Sequence, residues 1–492
     1  MLKQQQKLPL SSYSNLYDLL VPKDNILRKM SDLCDFSFIF EELSNKYCLD
    51  NGRCAIDPII MFKYLVLKMK TGLSDVDLVE HTLYDLSFKY FLGLPPEATD
   101  LIHPTSLTKF RRQRLKDANL MQLLIGKTIQ IAKAHGIKLS GVIIVDSTHT
   151  EACYGMHKPI EILRMQEKNL EHAMEYIDKD KYLPDMPKHE NPEHDLEIEV
   201  NYCMQLIEYL RKHEELNSFR AIQERINNIA ESLDDLKAEG EIALDKEARV
   251  GHKSTTHTFN GYKNHIAMDK DTRLVTAVEV TSGEVADGPQ LQTLIEQTEA
   301  VGAEVKAIMG DTAYSSETNI NLCETKGIPL YSKLHPIISD GTRKDDKGFF
   351  LNKDSGLLVC PHGEQALRKT ECTNTQKNNG KVYHHKRIVF YFDVERCRTC
   401  PLREGCYKQD AKTKTYSITI EKDAHKKQRA FQETEEFKLM YGDRYQIEAK
   451  NGELKTCYGY DKAESYGLQR MQLQSAVSIF TCNLQRIIRL MK

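Results

Sequence analysis

The sequence predicts an α/β core with helical segments before it and inserted into it. Val142–Val145 is an apolar, β-branched run that ends at Asp146, as expected for a central strand buried on both faces. Val305–Met309 is a second such segment and precedes Gly310-Asp311. Between them, His257–Asp269 and Leu274–Val280 have the pattern of two hairpin strands. These four segments predict a sheet at the centre of the protein.

Helical periodicity marks the chain before this sheet, in residues 55–116. One predicted helix ends at Thr71-Gly72, and the next begins at Ser74, where Asp77 completes a pattern like a capping box. Two helices across a short glycine-containing turn resemble a helix-turn-helix. A further helix, after Pro104, carries the densest basic cluster in the first half of the chain, which includes Arg111, Arg112 and Arg114. Such a cluster is either a solvated helix face or a surface for phosphate contacts.

The overall charge conceals two unlike parts of the chain. The protein has 492 residues, with 68 Lys plus Arg against 71 Asp plus Glu, and this formal net charge of -3 argues against a histone-like polycation. Residues 161–247 contain 23 acidic and 11 basic residues, which leaves 57 basic and 48 acidic residues elsewhere. The remainder carries +9 and is compatible with a polyanionic partner. The acidic stretch itself predicts a helical insertion to which the sequence assigns no function.

The composition also predicts a compartment. No apolar run reaches the roughly 18 residues that a membrane-spanning helix needs. The 13 Cys are an odd number scattered along the chain, which suits a reducing compartment better than a secreted disulfide framework. We therefore expect a cytoplasmic protein.

Three acidic residues stand where chemistry is expected. Asp146 and Asp311 each follow a predicted buried strand, and open α/β folds place ligand sites at the carboxyl ends of their strands. The alternative for either residue alone is a simple helix cap. Glu448 belongs to a third pattern, in which Tyr441, Arg444, Glu448 and Lys455 are spaced to share one stripe of a helix.

An exposed i,i+4 ion pair between Arg444 and Glu448 is the simpler explanation of that stripe, but it leaves Tyr441 and Lys455 unexplained. A metal-binding carboxylate flanked by cations and a phenol that contact nucleic acid uses all four residues. Two aspartates and one glutamate suit two divalent cations, which prefer oxygen ligands and promote in-line phosphoryl transfer.

In these residues the chain resembles the DDE transposases of bacterial insertion sequences, in the branch whose third carboxylate lies in a Y-x2-R-x3-E-x6-K signature. Tyr441, Arg444, Glu448 and Lys455 match that signature residue for residue. The resemblance includes the motifs around Asp146 and Asp311. It extends through the N-terminal helices to the C-terminus, with further matching motifs at Gly261-Tyr262-Lys263, Tyr466-Gly467-Leu468-Gln469-Arg470 and Asn483-Leu484-Gln485-Arg486.

The resemblance implies an RNase H-like core, in which a mixed sheet is flanked by helices. It implies that Asp146, Asp311 and Glu448 are catalytic and bind Mg²⁺, for which Mn²⁺ can substitute. DNA contacts are then expected from the flanking signature residues and from the N-terminal basic cluster: Tyr441, Arg444, Lys455, Arg111, Arg112 and Arg114.

An active transposase of this kind binds the terminal inverted repeats of its element, cleaves the donor strands and joins the 3′-hydroxyl ends to target DNA. It acts on double-stranded DNA of the bacterial chromosome or plasmids, as a homodimer or a larger synaptic complex. Two alternatives remain open. One is an RNase H-like nuclease without strand transfer, and the other is a non-catalytic DNA-binding protein derived from a transposase.

A cysteine-containing segment lies between Asp311 and Glu448. Cys397 and Cys400 form a Cys-x2-Cys knuckle that, with Cys360 and Cys406, predicts a structural zinc site. Free reduced cysteines are the alternative, and the same segment contains competing ligands: His362, Cys372, His384 and His385.

The predicted organisation has six parts. They are an N-terminal helical domain for DNA ends (1–135), the first part of the core (136–160), the acidic helical insertion (161–247), the core hairpin and second aspartate strand (248–340), the cysteine-containing insertion (341–430), and C-terminal helices with the catalytic glutamate (431–492).

Overall fold

The computed structural model is a mixed α/β protein. It describes residues 11–48, 55–115, 120–153, 158–182, 186–188, 195–239, 245, 247–253, 257–334, 348–352, 354–378, 381–408, 411–418 and 423–491. His384 and His385 belong to a described strand, but their side chains lie outside what the structure describes.

The α-helices of the described residues, in chain order, are α1 (Asn15–Leu20), α2 (Ile26–Leu33), α3 (Ser37–Leu43), α4 (Pro58–Thr71), α5 (Asp75–Tyr84), α6 (Leu86–Leu92), α7 (Thr105–Lys109), α8 (Leu120–Ala134), α9 (Pro159–Tyr182), α10 (Leu196–Lys212), α11 (Glu214–Ser218), α12 (Arg220–Glu239), α13 (Leu291–Ala300), α14 (Glu317–Lys326), α15 (Val394–Thr399), α16 (Asp423–Gln432), α17 (Glu435–Tyr441), α18 (Tyr445–Cys457) and α19 (Leu468–Leu490). No helix in the described part of the chain is long and apolar enough to cross a membrane.

The strands form three sheets. The largest has the order β2-β3-β1-β5-β6, and β4 also pairs with β3. A second sheet has the order β11-β10-β9, and β7 pairs with β8. Their bounds are β1 (Val142–Glu151), β2 (Arg249–His252), β3 (Thr258–Asp269), β4 (Val275–Ser282), β5 (Ala307–Met309), β6 (Leu330–Tyr331), β7 (Phe350–Asn352), β8 (Leu357–Val359), β9 (Arg368–Asn378), β10 (Lys381–Phe392) and β11 (Lys414–Ile418).

The chain divides into two compact units, each assembled from separate segments. The first comprises residues 1–121, 152–248 and 454–492, and the second comprises 122–151 and 249–453. The predicted acidic insertion is therefore grouped with the N-terminal helices, and the predicted C-terminal part is divided between the two units.

Local sequence signals explain where α4 and α5 begin and end. Asp57 caps α4 by accepting a hydrogen bond from the amide of Ile59, and Gly72 ends the helix with a φ of 70°. Ser74 caps α5 by accepting from the amide of Asp77, as the capping pattern predicts. Aromatic contacts hold α4 in the first unit, where the rings of Phe62 and Phe480 on α19 lie 5.8 Å apart.

The acidic insertion has an apolar core of its own. Its long helices α9, α10 and α12 each present one apolar face, as their helical periodicity predicts. The buried residues of this core include Ile162, Leu163, Leu170, Met174, Leu206, Leu210, Ile222 and Ile229.

The main sheet of the second unit is covered on both faces. Ile143 and Val145 of β1 belong to a core cluster with Leu291 and Leu294 of α13. Ile144, between them, belongs to a cluster on the other face that includes Phe437 of α17 and Ile447 of α18. Because successive side chains of a strand alternate between faces, Asp146 projects from the face of β1 on which α18 packs.

Two sequence predictions differ from the observed elements. The β1 strand continues through Asp146 to Glu151, because residues 146–151 pair with β3 beyond the apolar run. The predicted single stripe of Tyr441, Arg444, Glu448 and Lys455 is interrupted, since α17 ends at Tyr441 and Gly442–Arg444 form a turn of 3-10 helix before α18. Glycine has a low helix propensity, and it stands where the interruption begins.

Candidate active site

Asp146 and Asp311 come from neighbouring parallel strands. In the register between β1 and β5, Ile144 is paired with Met309. Continuing that register by two residues aligns Asp146 with Asp311 at the carboxyl end of β5. Each aspartate thus lies two residues beyond a paired residue of neighbouring parallel strands, and a site shared by the two carboxylates stays a prediction.

The turn that holds Asp311 is closely packed. Asp311 Oδ1 accepts a hydrogen bond from the amide of Ala313 at 2.8 Å, so this residue is also the cap of a short 3-10 helix. Gly310 has no room for a side chain, since an added Cβ would lie 2.7 Å from the ring of Tyr314 and 3.1 Å from Val145. Burial raises the pKa of Tyr314 well above its ordinary value, and the nearby carboxylates of Asp287, Asp146 and Asp354 raise it further.

Helix α18 contributes the third side of this region. Asn451 Nδ2 donates a hydrogen bond to Asp146 Oδ2 at 3.3 Å, which brings the middle of α18 to the first aspartate. Glu448 stands three residues before Asn451, and residues at this spacing are neighbours on a helix surface. The helix that carries the predicted third carboxylate thus lies against the predicted first one.

Glu448 itself is directed toward Arg444. The Arg444 guanidinium donates to Glu448 Oε1 at 2.5 Å, and the Glu448 side chain is 58% exposed. This is the i,i+4 ion pair that the simpler interpretation expected. Tyr441 packs within the cluster around Phe437, where its ring stacks on Phe437 with centroids 5.5 Å apart. Lys455 lies in the last turn of α18.

The chemical types of the candidate ligands suit a divalent cation, but their observed arrangement does not form a site for one. Carboxylate oxygens from Asp146, Asp311 and Glu448 are ligands of the type that Mg²⁺ prefers. Within the described ranges, however, no group of three or more His, Cys, Asp or Glu side chains is placed to hold a metal ion. The catalytic and metal-binding roles of Asp146, Asp311 and Glu448 therefore stay predictions.

A buried ion cluster lies on the opposite face of the same sheet. Lys263 of β3 is 4% exposed, and its Nζ lies 3.2 Å from both Asp287 Oδ1 and Asp354 Oδ2. His265 Nδ1 is 3.4 Å from the same Asp287 oxygen. Lys263 belongs to the Gly-Tyr-Lys motif that the sequence singled out without a role. The observed contacts make it a bridge between the main sheet and the segment that contains Asp354.

The N-terminal arginines have partners within the first unit. Arg111 forms a two-pronged ion pair with Asp75, at 2.6 and 3.2 Å, and only 22% of its side chain is exposed. Arg112 donates to the carbonyl of Glu231 in the acidic insertion at 3.4 Å. Arg114 donates to the carbonyl of Lys46 at 2.5 Å. Their role in DNA binding stays a prediction, because these contacts neither require nor exclude it.

Three of the predicted zinc ligands are close enough to the fourth, Cys397, to affect its pKa. Burial raises the pKa of the Cys397 thiol, and Cys360, Cys406 and Cys400 raise it further against the lowering effect of Lys414. All four are free cysteines. As for the carboxylates, no three or more of the described His, Cys, Asp or Glu side chains are placed to hold a metal ion here. Zinc binding stays a prediction.

Sequence reasoning did not single out Asn451. The signal was present, because a residue three positions after a candidate catalytic Glu448 shares its helix face. Its importance appears only from the contact with Asp146, a residue 305 positions away.

In mixed α/β proteins, ligand sites commonly lie at the carboxyl ends of parallel strands, and Asp311 stands just after the end of β5. Family comparison makes the identification more specific. Residues 15–113 match the transposase domain DUF772, and residues 359–488 match a transposase DDE domain. The chain therefore carries two domains of DDE transposases, and the resemblance seen in the sequence is confirmed at this level. The signature branch stays a prediction.

Other comparisons add little. No curated protein matches the chain. A solved structure described as "Cryo-EM structure of piggyBac transposase synaptic complex with hairpin DNA (SNHP)" is 9% identical, covering 99% of this chain and 82% of that chain, with a TM-score of 0.29. A similarity this low carries no argument about the present protein.

Proposed function

We propose that the chain is an insertion-sequence transposase that binds terminal inverted repeats and catalyses DNA cleavage and strand transfer through Asp146, Asp311 and Glu448. The observation that carries this proposal is the parallel pairing of Ile144 with Met309, two residues before Asp146 and Asp311, together with the contact from α18 to Asp146. The double-stranded DNA of the element ends and of the target is the substrate. Because two ends must meet, the active form is a homodimer or a larger assembly.

The core is assigned to the RNase H-like class as part of this proposal. Its sheet supports the assignment, since β4, β3 and β1 are antiparallel neighbours while β1, β5 and β6 are parallel neighbours. In this arrangement the first aspartate lies on the central strand, and the second stands two residues after the end of its parallel neighbour. The third carboxylate comes from a helix packed on the sheet.

Each side chain has a distinct role in the proposed reaction. Asp146, Asp311 and Glu448 would hold divalent cations, which would supply activation of the attacking water or 3′-hydroxyl and stabilisation of the leaving oxygen. Arg444 and Lys455 contact phosphate beside the cut, and Tyr441 packs beside them. The N-terminal helices with Arg111, Arg112 and Arg114 contribute to end binding.

The ion pair between Arg444 and Glu448 suggests an order of events. Arg444 has one guanidinium, and a DNA phosphate is an alternative partner for it. Once Arg444 turns to phosphate, Glu448 loses its neutralising partner and is available to the aspartates. DNA binding would then complete the carboxylate site, which explains why the free protein pairs Glu448 with Arg444.

The experiment is strand cleavage and joining on DNA that carries the element ends, with Mg²⁺ and the full chain. We expect joined products from the wild type and their loss in Asp146→Asn and Glu448→Gln. Undiminished products in either variant would remove that residue from the catalytic site. Glu453→Gln is a matched control, because Glu453 is on the same helix and pairs with Lys450 at 2.7 Å.

The exposed, arginine-paired Glu448 also favours a second candidate, a non-catalytic DNA-binding protein derived from a transposase. Binding of end DNA without cleavage in Mg²⁺ or Mn²⁺ would support this alternative. Cleavage without joined products would instead indicate an RNase H-like nuclease.

A further inference from the structure

The acidic insertion contacts the basic N-terminal helices through α12. Thr108 on α7 donates a hydrogen bond to Glu231 Oε1 at 2.5 Å. Arg112 donates to the main-chain carbonyl of Glu231 at 3.4 Å and lies 3.8 Å from Asp234 Oδ2. Burial raises the pKa of Glu231, and the nearby Arg111 guanidinium opposes this. Two acidic residues of α12 therefore stand against the arginines that the proposed function assigns to DNA.

A second set of contacts lies nearer the start of α12. Ser74, the cap of α5, donates to Glu224 Oε1 at 2.7 Å. Arg220, the first residue of α12, forms an ion pair with Asp77 of α5. Because Glu224 and Glu231 are seven residues apart, they lie on the same face of the helix. One face of α12 therefore contacts both α5 and α7.

The described contacts between α12 and these helices are polar and partly open to solvent. The Asp234 side chain is 63% exposed and that of Arg220 is 48% exposed. The apolar core of the insertion is formed by residues of the insertion itself. Partly exposed ion pairs contribute little stability and are weakened by salt. Such contacts can be exchanged for contacts with another charged partner.

A cavity lies along the same contact. Its volume is about 230 Å³, and its lining includes Arg111 and Arg112 from the N-terminal side and Glu224 and Glu231 from α12. A polar cavity of this size has room for water molecules. The packing of α12 against α5 and α7 is therefore incomplete, which lowers the cost of separating them.

The insertion and DNA offer the same chemistry to an arginine. Carboxylates and phosphates are alternative hydrogen-bonding partners for a guanidinium. Residues 161–247 contain 23 acidic and 11 basic residues, so the insertion is itself polyanionic. A protein surface cannot give the same guanidinium contacts to both partners at once. Contact with α12 and contact with DNA should therefore compete.

We propose that the acidic face of α12, formed by Glu224, Glu231 and Asp234, occupies the DNA-binding surface of the N-terminal helices in the free protein, and that DNA displaces it. This inference rests on the proposed function, because it requires that Arg111 and Arg112 contact DNA. It gives the acidic insertion a role as an autoinhibitory cover. Since only the uncovered state binds, the cover lowers the apparent affinity for end DNA and for random DNA by the same factor.

The test is binding of the full chain to fluorescent duplexes of end DNA and of random sequence, measured by anisotropy. Glu231→Gln combined with Asp234→Asn should tighten binding to both duplexes about 10-fold, because α12 loses two charges that hold it in place. The matched control is Glu197→Gln combined with Glu208→Gln. It removes two charges from exposed positions of α10 in the same insertion, and it should tighten binding by less than about 2-fold.

An Arg112 background separates competition from a general effect of charge. Asp234→Asn alone should tighten DNA binding about 3-fold, as loss of one partly exposed ion pair permits. The gain should disappear when Arg112→Gln is already present, because the arginine partner of Asp234 is then absent. A gain of equal size in both backgrounds would overturn the inference.

The outcomes distinguish this inference from the proposed function. If the wild type binds end DNA and the folded α12 double variant binds no tighter than the α10 control, the inference is wrong and the proposed function stands. If neither the wild type nor the α12 variant binds either duplex, the proposed function is wrong and the inference fails with it. Thermal unfolding checks that the double variant is folded, and the exposed Asp234→Asn replacement tests the inference where it is not.

Discussion

Arg444 donates a hydrogen bond to Glu448 Oε1 at 2.5 Å across one turn of the chain, and the glutamate side chain remains 58% exposed. The predicted third carboxylate is thus neutralised by the residue predicted to contact phosphate. Surface i,i+4 pairs contribute only about 0.3–0.5 kcal/mol, so this contact is weak enough for a DNA phosphate to replace it.

Arg444→Gln should reduce affinity for end DNA because it removes a phosphate contact. The slope of log K against log salt should decrease in magnitude by about 1. Fluorescence anisotropy over a salt series measures both quantities. Lys438→Gln is the control, since Lys438 forms an exposed i,i+3 pair with Glu435 at 2.9 Å. An equal loss of affinity in both variants would mean that overall charge, rather than Arg444, controls binding.

Lys263→Met should destabilise the second unit strongly. The change leaves Asp287 and Asp354 without the ammonium that lies 3.2 Å from each, and breaking a buried ion pair in this way typically costs about 3–5 kcal/mol. Denaturant unfolding measures the loss. Lys306→Met, at an exposed pair with Glu304, should change the free energy of unfolding by less than about 1 kcal/mol.

Adding Asp287→Asn to Lys263→Met should recover part of that stability, because one of the two carboxylates that lost the Lys263 ammonium is then uncharged. A double variant as unstable as Lys263→Met would show that Lys263 acts through packing of its side chain rather than through its charge.

Short-range signals account for the parts of the fold that the sequence predicted well. The strand patterns of His257–Asp269 and Leu274–Val280 located the hairpin of β3 and β4 to within about two residues. The two candidate aspartates were singled out for the same reason, because an apolar strand segment and the residue after it are contiguous in sequence.

Long-range contacts account for what the sequence did not reveal. Arg111 stands in a basic cluster that looks solvent-exposed, yet its partner Asp75 is 36 residues away and buried. The partners of Asn451 and Lys263 are likewise distant. The predicted stripe from Tyr441 to Lys455 also assumed one continuous helix. That prediction was wrong, because the helix is interrupted at Gly442.

Glu167→Gln should stabilise the first unit at pH 8 and change it little at pH 5. Burial raises the pKa of Glu167 to about 8, a hydrogen bond from Cys203 opposes this, and Glu199 raises it further. A carboxyl whose pKa is higher in the folded than in the unfolded state stabilises the protein fully at a pH below its unfolded-state pKa. That stabilisation is lost as the pH rises toward the folded-state pKa of about 8. Glutamine does not ionise, so the variant does not lose this stabilisation as the pH rises.

Thermal unfolding at the two pH values measures the effect of Glu167→Gln, and Glu208→Gln is the control. Glu208 is 69% exposed and pairs with Lys212 one turn away, so its replacement should give the same small change at both pH values. A Glu167→Gln variant that melts below the wild type at pH 8 would contradict the prediction.

Replacing either of two glycines in the second unit by alanine should change its stability in opposite directions. Gly310→Ala places a Cβ 2.7 Å from the Tyr314 ring, beside Asp311, whereas Gly452→Ala meets nothing within 4 Å. Gly310→Ala should lower stability by about 1–3 kcal/mol through overpacking. Gly452→Ala lies inside α18 and should raise stability by up to about 1 kcal/mol.

The same pair tests the link between packing and the site. Gly310→Ala displaces the ring that supports the Asp311 turn, so Mn²⁺ binding should weaken even where the protein remains folded. Gly452→Ala keeps Asn451 and Glu448 on a stiffer helix, so Mn²⁺ binding should be retained. Equal Mn²⁺ affinity in the two folded variants would show that the position of Asp311 does not depend on the Tyr314 ring.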